Sequence, residues 1–101
     1  MSLYRAELSP RAQAELRSIT LWWRENRSNP ELLDREVTMA LTLLVTHPEA
    51  GPLFRRARRP GVRRLLLRDS QHHLYYDLDH SSKIVRVLAF WHTARKRTPR
   101  L

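Results

Sequence analysis

Polar and apolar residues alternate along Leu3-Tyr4-Arg5-Ala6-Glu7-Leu8, with Leu3, Arg5 and Glu7 on one side and Tyr4, Ala6 and Leu8 on the other. A period of two over residues 3–8 predicts a short, half-buried strand. The period then lengthens. Ala12, Leu16, Ile19 and Trp23 fall within a narrow arc of a helical wheel, which predicts an amphipathic helix over 10–26. Ser9-Pro10 opens that helix with a capping hydroxyl and a proline where a missing N–H costs nothing. Asn26, Ser28 and Asn29 close it. Leu33, Val37, Ala40 and Leu44 restart the stripe, flanked by Leu41 and Leu43, so a second helix is expected over about 30–46, capped by Ser28 or Asn29 and stopped before Pro48 and Gly51.

Two helices of similar length joined by a few polar residues form an antiparallel hairpin. A hairpin cannot bury both of its stripes alone, so a sheet must cover it. Three strand-like runs supply one: residues 62–68, 72–78 and 84–91, separated by the turn-forming stretches Asp69-Ser70-Gln71 and Asp79-His80-Ser81-Ser82-Lys83. In the second run Leu74, Tyr76 and Leu78 share one face and His73, Tyr75 and Asp77 the other. The third is apolar on both faces, the mark of a central strand, with Val85, Val87, Ala89 and Trp91 opposing Ile84, Arg86, Leu88 and Phe90. The order is β-α-α-β-β-β. The fold class expected is α+β, an antiparallel helical hairpin packed on a four-stranded, mostly antiparallel sheet.

Length adds that 101 residues make one domain, expected over 1–101 with a basic tail at 92–101. An apolar fraction of 42% argues against wholesale disorder. No apolar run approaches the roughly eighteen residues of a membrane span, and Met1–Leu8 lacks the pattern of a secretory signal. The absence of cysteine excludes disulfides and thiolate metal sites. Together these features fit a bacterial-type cytoplasmic protein.

Charge changes the picture more. Residues 1–50 carry six arginines against seven carboxylates, a net of −1, whereas residues 51–101 carry eleven arginines and two lysines against three aspartates, a net of +10. Seven of those arginines lie in residues 51–68, between two Gly/Pro marks. So lopsided a field implies a polyanionic or acidic partner for the C-terminal half, and arginine's planar fork suits phosphate or carboxylate. The run holds one aromatic residue, Phe54, and no glycine-rich cradle, so it lacks the interleaved stacking of a single-strand binder. Arg55, Arg56, Arg58, Arg59, Arg63 and Arg64 are therefore expected to dock an acidic protein or phosphates rather than read bases.

The order of elements carries several landmarks: Leu8-Ser9-Pro10-Arg11-Ala12, then His47-Pro48-Glu49-Ala50-Gly51-Pro52, then Gly61-Val62-Arg63-Arg64-Leu65, Leu74-Tyr75-Tyr76, and Arg86-Val87-Leu88 leading into a basic tail. In that order and spacing the chain resembles the RelE/ParE superfamily of toxins from type II toxin–antitoxin modules. The P-E-x-G-P stretch and the long hairpin look more like the ParE branch. That resemblance implies a toxin that arrests growth by inhibiting DNA gyrase, with no catalysis of its own and no cofactor. It also implies neutralisation by a cognate antitoxin that is acidic and partly disordered before binding. The other branch implies a ribosome-dependent mRNA endoribonuclease.

Cleaving RNA requires a base for the 2′-OH, an acid for the leaving oxygen and cations for the phosphate. For that alternative the matching residues are His73, before the L-Y-Y triplet, and His92, with Arg86, Arg95 and Arg97 to hold phosphate. The late tyrosine of the RelE pattern has no counterpart, since no Phe, Tyr or Trp follows Trp91. His72 and His73 point to opposite faces of a strand, and His47 and His80 fall at a helix end and in a turn, so no metal site is expected. Trp22 flanks the core stripe that holds Trp23, and reads either as an edge-of-core aromatic or as part of an adhesive outer surface. Finally, one face of the last strand has nothing left to cover it. Ile84, Arg86, Leu88 and Phe90 are expected to form an open groove for an antitoxin segment, unless the tail folds over it.

Overall fold

A computed structural model describes residues 3–101. Its elements are β1 (Arg5–Leu8), α1 (Pro10–Asn26), α2 (Glu31–Thr46), β2 (Arg63–Leu67), β3 (His72–Asp79) and β4 (Ile84–His92). The Ser9 side chain accepts the Ala12 N–H at 3.0 Å, and its hydroxyl reaches the Leu88 carbonyl at 3.2 Å, so one residue starts α1 and ties it to the sheet. The start of α2 differs from expectation. Neither Ser28 nor Asn29 caps it, Pro30 stands at the cap without a side-chain bond, and Glu31 and Asp34 occupy the first turn. Those two carboxylates meet the positive end of the helix dipole, which offsets a missing cap.

The four strands lie in the order β1-β4-β3-β2, with β1 parallel to β4 and the other pairs antiparallel. β4 is central, as its two apolar faces predict. Ala12, Trp23, Leu33, Val37, Ala40 and Leu44 from the helices pack on Leu67, Leu74, Tyr76, Val85, Val87 and Phe90 from the sheet. Burying a Leu, Val or Phe side chain contributes about 1.5–3 kcal/mol each, so this interface holds the layers together.

One feature of β4 departs from simple alternation. Tyr75 pairs with Ala89 and Tyr76 with Val87, which leaves Leu88 as an extra residue, a β-bulge. The bulge reverses the facing of everything after it. Phe90 turns into the helix-side core, while Ala89 joins Leu88 on the outer face and Trp91 packs beside them. The proposed groove of Ile84, Arg86, Leu88 and Phe90 is therefore not a single face. The bulge is anchored from α1, where a Glu15 carboxylate oxygen accepts the Phe90 N–H at 3.1 Å.

The outer face is not open either. Phe54, Val62, Tyr75, Leu88 and Ala89 form a second buried cluster, with Ala57, Trp91 and Leu101 packed against it. The connection after α2 and the C-terminal tail supply the cover. No helix among the described residues is long and apolar enough to cross a membrane.

Candidate functional site

The arginine run begins where α2 ends. Tyr76, wholly buried in β3, places its hydroxyl between two backbone groups: it accepts the Gly51 N–H at 2.9 Å and donates to the Pro48 carbonyl at 2.8 Å. Gly51 is required there, because a Cβ would lie 2.8 Å from the Arg64 carbonyl and 2.9 Å from the Tyr76 ring. From this latch the chain runs antiparallel to the start of β2, with Leu53 bridged to Arg63, the Phe54 N–H on the Val62 carbonyl at 2.7 Å and the Arg64 N–H on the Pro52 carbonyl at 3.1 Å. Gly61, at φ +84°, makes the return turn. Residues 55–61 thus form the tip of a short arm folded over the outer sheet face.

Phe54 anchors the arm by packing edge-on to Tyr75 at 5.0 Å, and the Arg64 guanidinium lies 5.2 Å from the Phe54 ring centre. Arg55, Arg56 and Arg64, with Pro52, Leu53 and Thr98, line an open cleft of 530 Å³. None of these three arginines has a carboxylate partner among the described residues. Arg59 and Arg86 do. Asp77, buried on the outer face, accepts two bonds from Arg86 at 2.8 and 3.1 Å and lies 3.6 Å from Arg59. Hydrogen bonding and charge from Asp77 push the Arg86 pKa further up.

The tail completes the cover. The Arg58 N–H donates to the Leu101 carbonyl at 2.8 Å, and the Trp91 indole N–H donates to the Arg97 carbonyl at 2.7 Å. Arg95 stacks over the Trp91 ring at 4.0 Å.

The two histidines singled out for RNA cleavage are not brought together. His73 lies on the outer face, edge-on to Tyr75 at 5.9 Å, where burial and then the Arg64 charge hold its pKa below the ordinary histidine value. His92 lies on the helix-facing side, its ring 4.9 Å from His72. The sheet separates the expected pair, because His73 sits opposite Trp91 and His72 opposite His92. Arg86 is occupied by Asp77, whereas Arg95 stacks on Trp91 and also lines a cleft with His92 on the side of the sheet away from His73. Of the six arginines in the expected dock, Arg63 is half-buried and donates to the Gly51 carbonyl at 2.8 Å, and Arg59 is paired with Asp77. Among the described residues no group of three histidines and carboxylates is placed to hold a metal. Two contributors escaped the sequence reading: Tyr76 as a latch and Asp77 as a clamp. The only signal for the clamp was an aspartate on the same face of β3 as Tyr75.

A family model described as "ParE toxin of type II toxin-antitoxin system, parDE" matches residues 6–97. The chain belongs to that family. It is thus a toxin-family member of a type II toxin–antitoxin system. Similar solved chains include one from the RelBE2 toxin–antitoxin complex of Mycobacterium tuberculosis, at TM-score 0.65 and 22% identity over 89% of this chain and 98% of that one. Another comes from the chromosomal ParDE system of P. aeruginosa, at 0.66 and 19% over 89% and 96%. A third comes from the E. coli RelBE complex, at 0.63 and 23% over 91% and 99%. At these identities the likeness is one of fold, and it spans both branches. Comparison with curated protein sequences gives no match.

Proposed function

We propose that this ParE-family toxin arrests growth by inhibiting DNA gyrase as a protein ligand, and that an acidic antitoxin neutralises it. The observation that carries this reading is the separation of His73 from His92 by the sheet, beside a cleft whose Arg55, Arg56 and Arg64 have no carboxylate partner among the described residues. General acid–base cleavage needs both groups within hydrogen-bond reach of one phosphodiester. A docking surface needs only charge, shape and rigidity. Tyr76, Phe54 and the cover by Leu101 fix the arm, and Arg55, Arg56 and Arg64 present cations without a carboxylate of their own. The same cations suit an acidic antitoxin, so occupation by one partner would exclude the other.

The ribonuclease alternative draws on one observation, the neutral His73 beside Arg64, which together resemble a base next to a phosphate-holding cation. Pulse labelling after tightly induced expression separates the two. Inhibition of gyrase stops DNA synthesis before protein synthesis, and His73→Ala with His92→Ala leaves most of the toxicity. Protein synthesis stopping first, with toxicity lost in that double variant, overturns the proposal.

A further inference from the structure

On the opposite side of the sheet from the arginine arm, a notch runs between α1 and the ends of β3 and β4. It has two chambers that meet at His72 and His92. One, of 270 Å³, is walled by Trp22, Trp23 and Arg27 and floored by Asp69 and Ser70 of the β2–β3 turn. The other, of 280 Å³, is bounded by Ser18, Phe90 and Arg95. Each lies just below the roughly 300 Å³ at which ligand pockets usually begin, and joined they reach that range.

The first chamber is built rather than incidental. Its turn is clamped by Glu36, whose two carboxylate oxygens accept the Asp69 and Ser70 N–H groups at 2.6 and 3.0 Å. Gln71 sits at φ +59°, a conformation that costs a non-glycine residue free energy. Ser70 is 5% exposed, and its hydroxyl has no hydrogen-bond partner among the described residues. A buried hydroxyl left unpaired costs about 1–3 kcal/mol, so a ligand that satisfies it gains accordingly.

The polar groups differ between the ends. His72 gives its Nδ1–H to the Ser70 carbonyl at 2.9 Å, which leaves Nε2 as an acceptor. Burial, and then the neighbouring His92, hold its pKa below the ordinary value, so it stays neutral. His92 accepts the Ala94 N–H on Nδ1 at 3.0 Å, so its Nε2 carries a proton and donates. Arg27 lies 4.5 Å over the Trp22 ring and 5.6 Å over Trp23, a flat cationic and aromatic wall. The Asp69 carboxylate forms no ion pair among the described residues and disfavours an anion at this end. At the other end Glu15 is already engaged by the Phe90 N–H and Arg11, which leaves Arg95, Ser18 and the His92 N–H as donors.

We infer that this notch binds a nucleotide, with its base against Trp22 and Arg27, its polar edge read by Ser70, His72 and Asp69, and its phosphate held by Arg95, Ser18 and His92. An aromatic or guanidinium plane beside mixed donors and acceptors is the chemistry that recognises an unstacked base. The site lies apart from the arm, so it stands or falls independently of the gyrase reading. The ligand is either a free mononucleotide or the 5′-terminal nucleotide of an oligonucleotide, which share this chemistry.

The test is a titration of the full chain with AMP, GMP, CMP and UMP, and with 5′-phosphorylated dinucleotides, followed by the indole N–H resonances of Trp22 and Trp23. Saturable shifts are expected for at least one mononucleotide. Binding of the dinucleotide as well assigns the site to chain ends, and its exclusion assigns it to free nucleotides. Ser70→Ala removes a hydroxyl that bonds nothing in the free protein, so its Tm should hold or rise while affinity falls about tenfold. Arg95→Ala should erase the preference for a nucleotide over its nucleoside. Indole signals that do not move, shifts confined to the amides of residues 55–59, or unchanged affinity in Ser70→Ala overturn the proposal.

Discussion

Tyr76→Phe removes one oxygen and leaves the ring in place, which makes it a sharp test of how the arginine arm is held. The hydroxyl satisfies the Gly51 N–H and the Pro48 carbonyl at once, at 2.9 and 2.8 Å. Burial raises the Tyr76 pKa, so the group is a neutral phenol throughout the physiological range. Losing it strands two backbone groups, each costing about 1–3 kcal/mol when buried. Pro48 is only half-buried, so water reaches part of that site, and the low end applies: about 2 kcal/mol in total. For a domain of this size that lowers the urea midpoint by roughly 1 M, or Tm by about 10 °C. The comparison variant is Tyr75→Phe, whose hydroxyl meets only the Arg64 guanidinium at 3.4 Å and should cost under about 0.5 kcal/mol. Urea melts of the two variants side by side provide the assay. Equal midpoints for both, at unchanged slope, would refute the latch.

Three further outcomes are expected. Ser9→Ala removes the hydroxyl that caps α1 and reaches Leu88, and should cost about 1 kcal/mol in the same melts; a shift within error contradicts the capping role. Substituting Arg55, Arg56 and Arg64 by alanine should abolish growth inhibition while Tm stays within a few degrees, since none of the three has a carboxylate partner among the described residues; retained toxicity contradicts the dock. Stability should fall with acid, because His72 and His73 both have folded pKa values lowered mainly by burial. The unfolded chain then binds more protons, so their contribution is complete above an unfolded pKa of about 6.5 and is lost as pH falls from there toward the folded values. Urea midpoints between pH 8 and 5 check this, and a midpoint that rises in acid contradicts it.

Most of the fold is readable along the chain, because each helix has one apolar stripe and a proline near its start. α1 spans the expected Pro10–Asn26, and α2 starts within a residue of expectation. The strands lie where the apolar runs put them. The bulge at Leu88 left no mark, for a physical reason. Alternation reveals facing only through contrast, and Val87-Leu88-Ala89-Phe90 has none. An extra residue there changes no polarity at any position, yet it moves Phe90 to the opposite face. The cover over the outer face was visible only as the alternative that the tail folds over it, because Leu53-Phe54 and Leu101 are short apolar insertions in basic segments and show no period. The site followed the same rule. The arginine run was evident from charge, whereas the separation of His73 from His92 depended on the register between β3 and β4.

The most direct test of the toxin's mode of action uses purified chain, gyrase and relaxed plasmid, with and without the Arg55, Arg56 and Arg64 substitutions. Inhibition by binding gyrase should stop supercoiling in proportion to toxin added, reverse when an acidic antitoxin is supplied, and disappear in the triple variant. Supercoiling that proceeds unchanged, while the same preparation cuts mRNA on ribosomes, would contradict it.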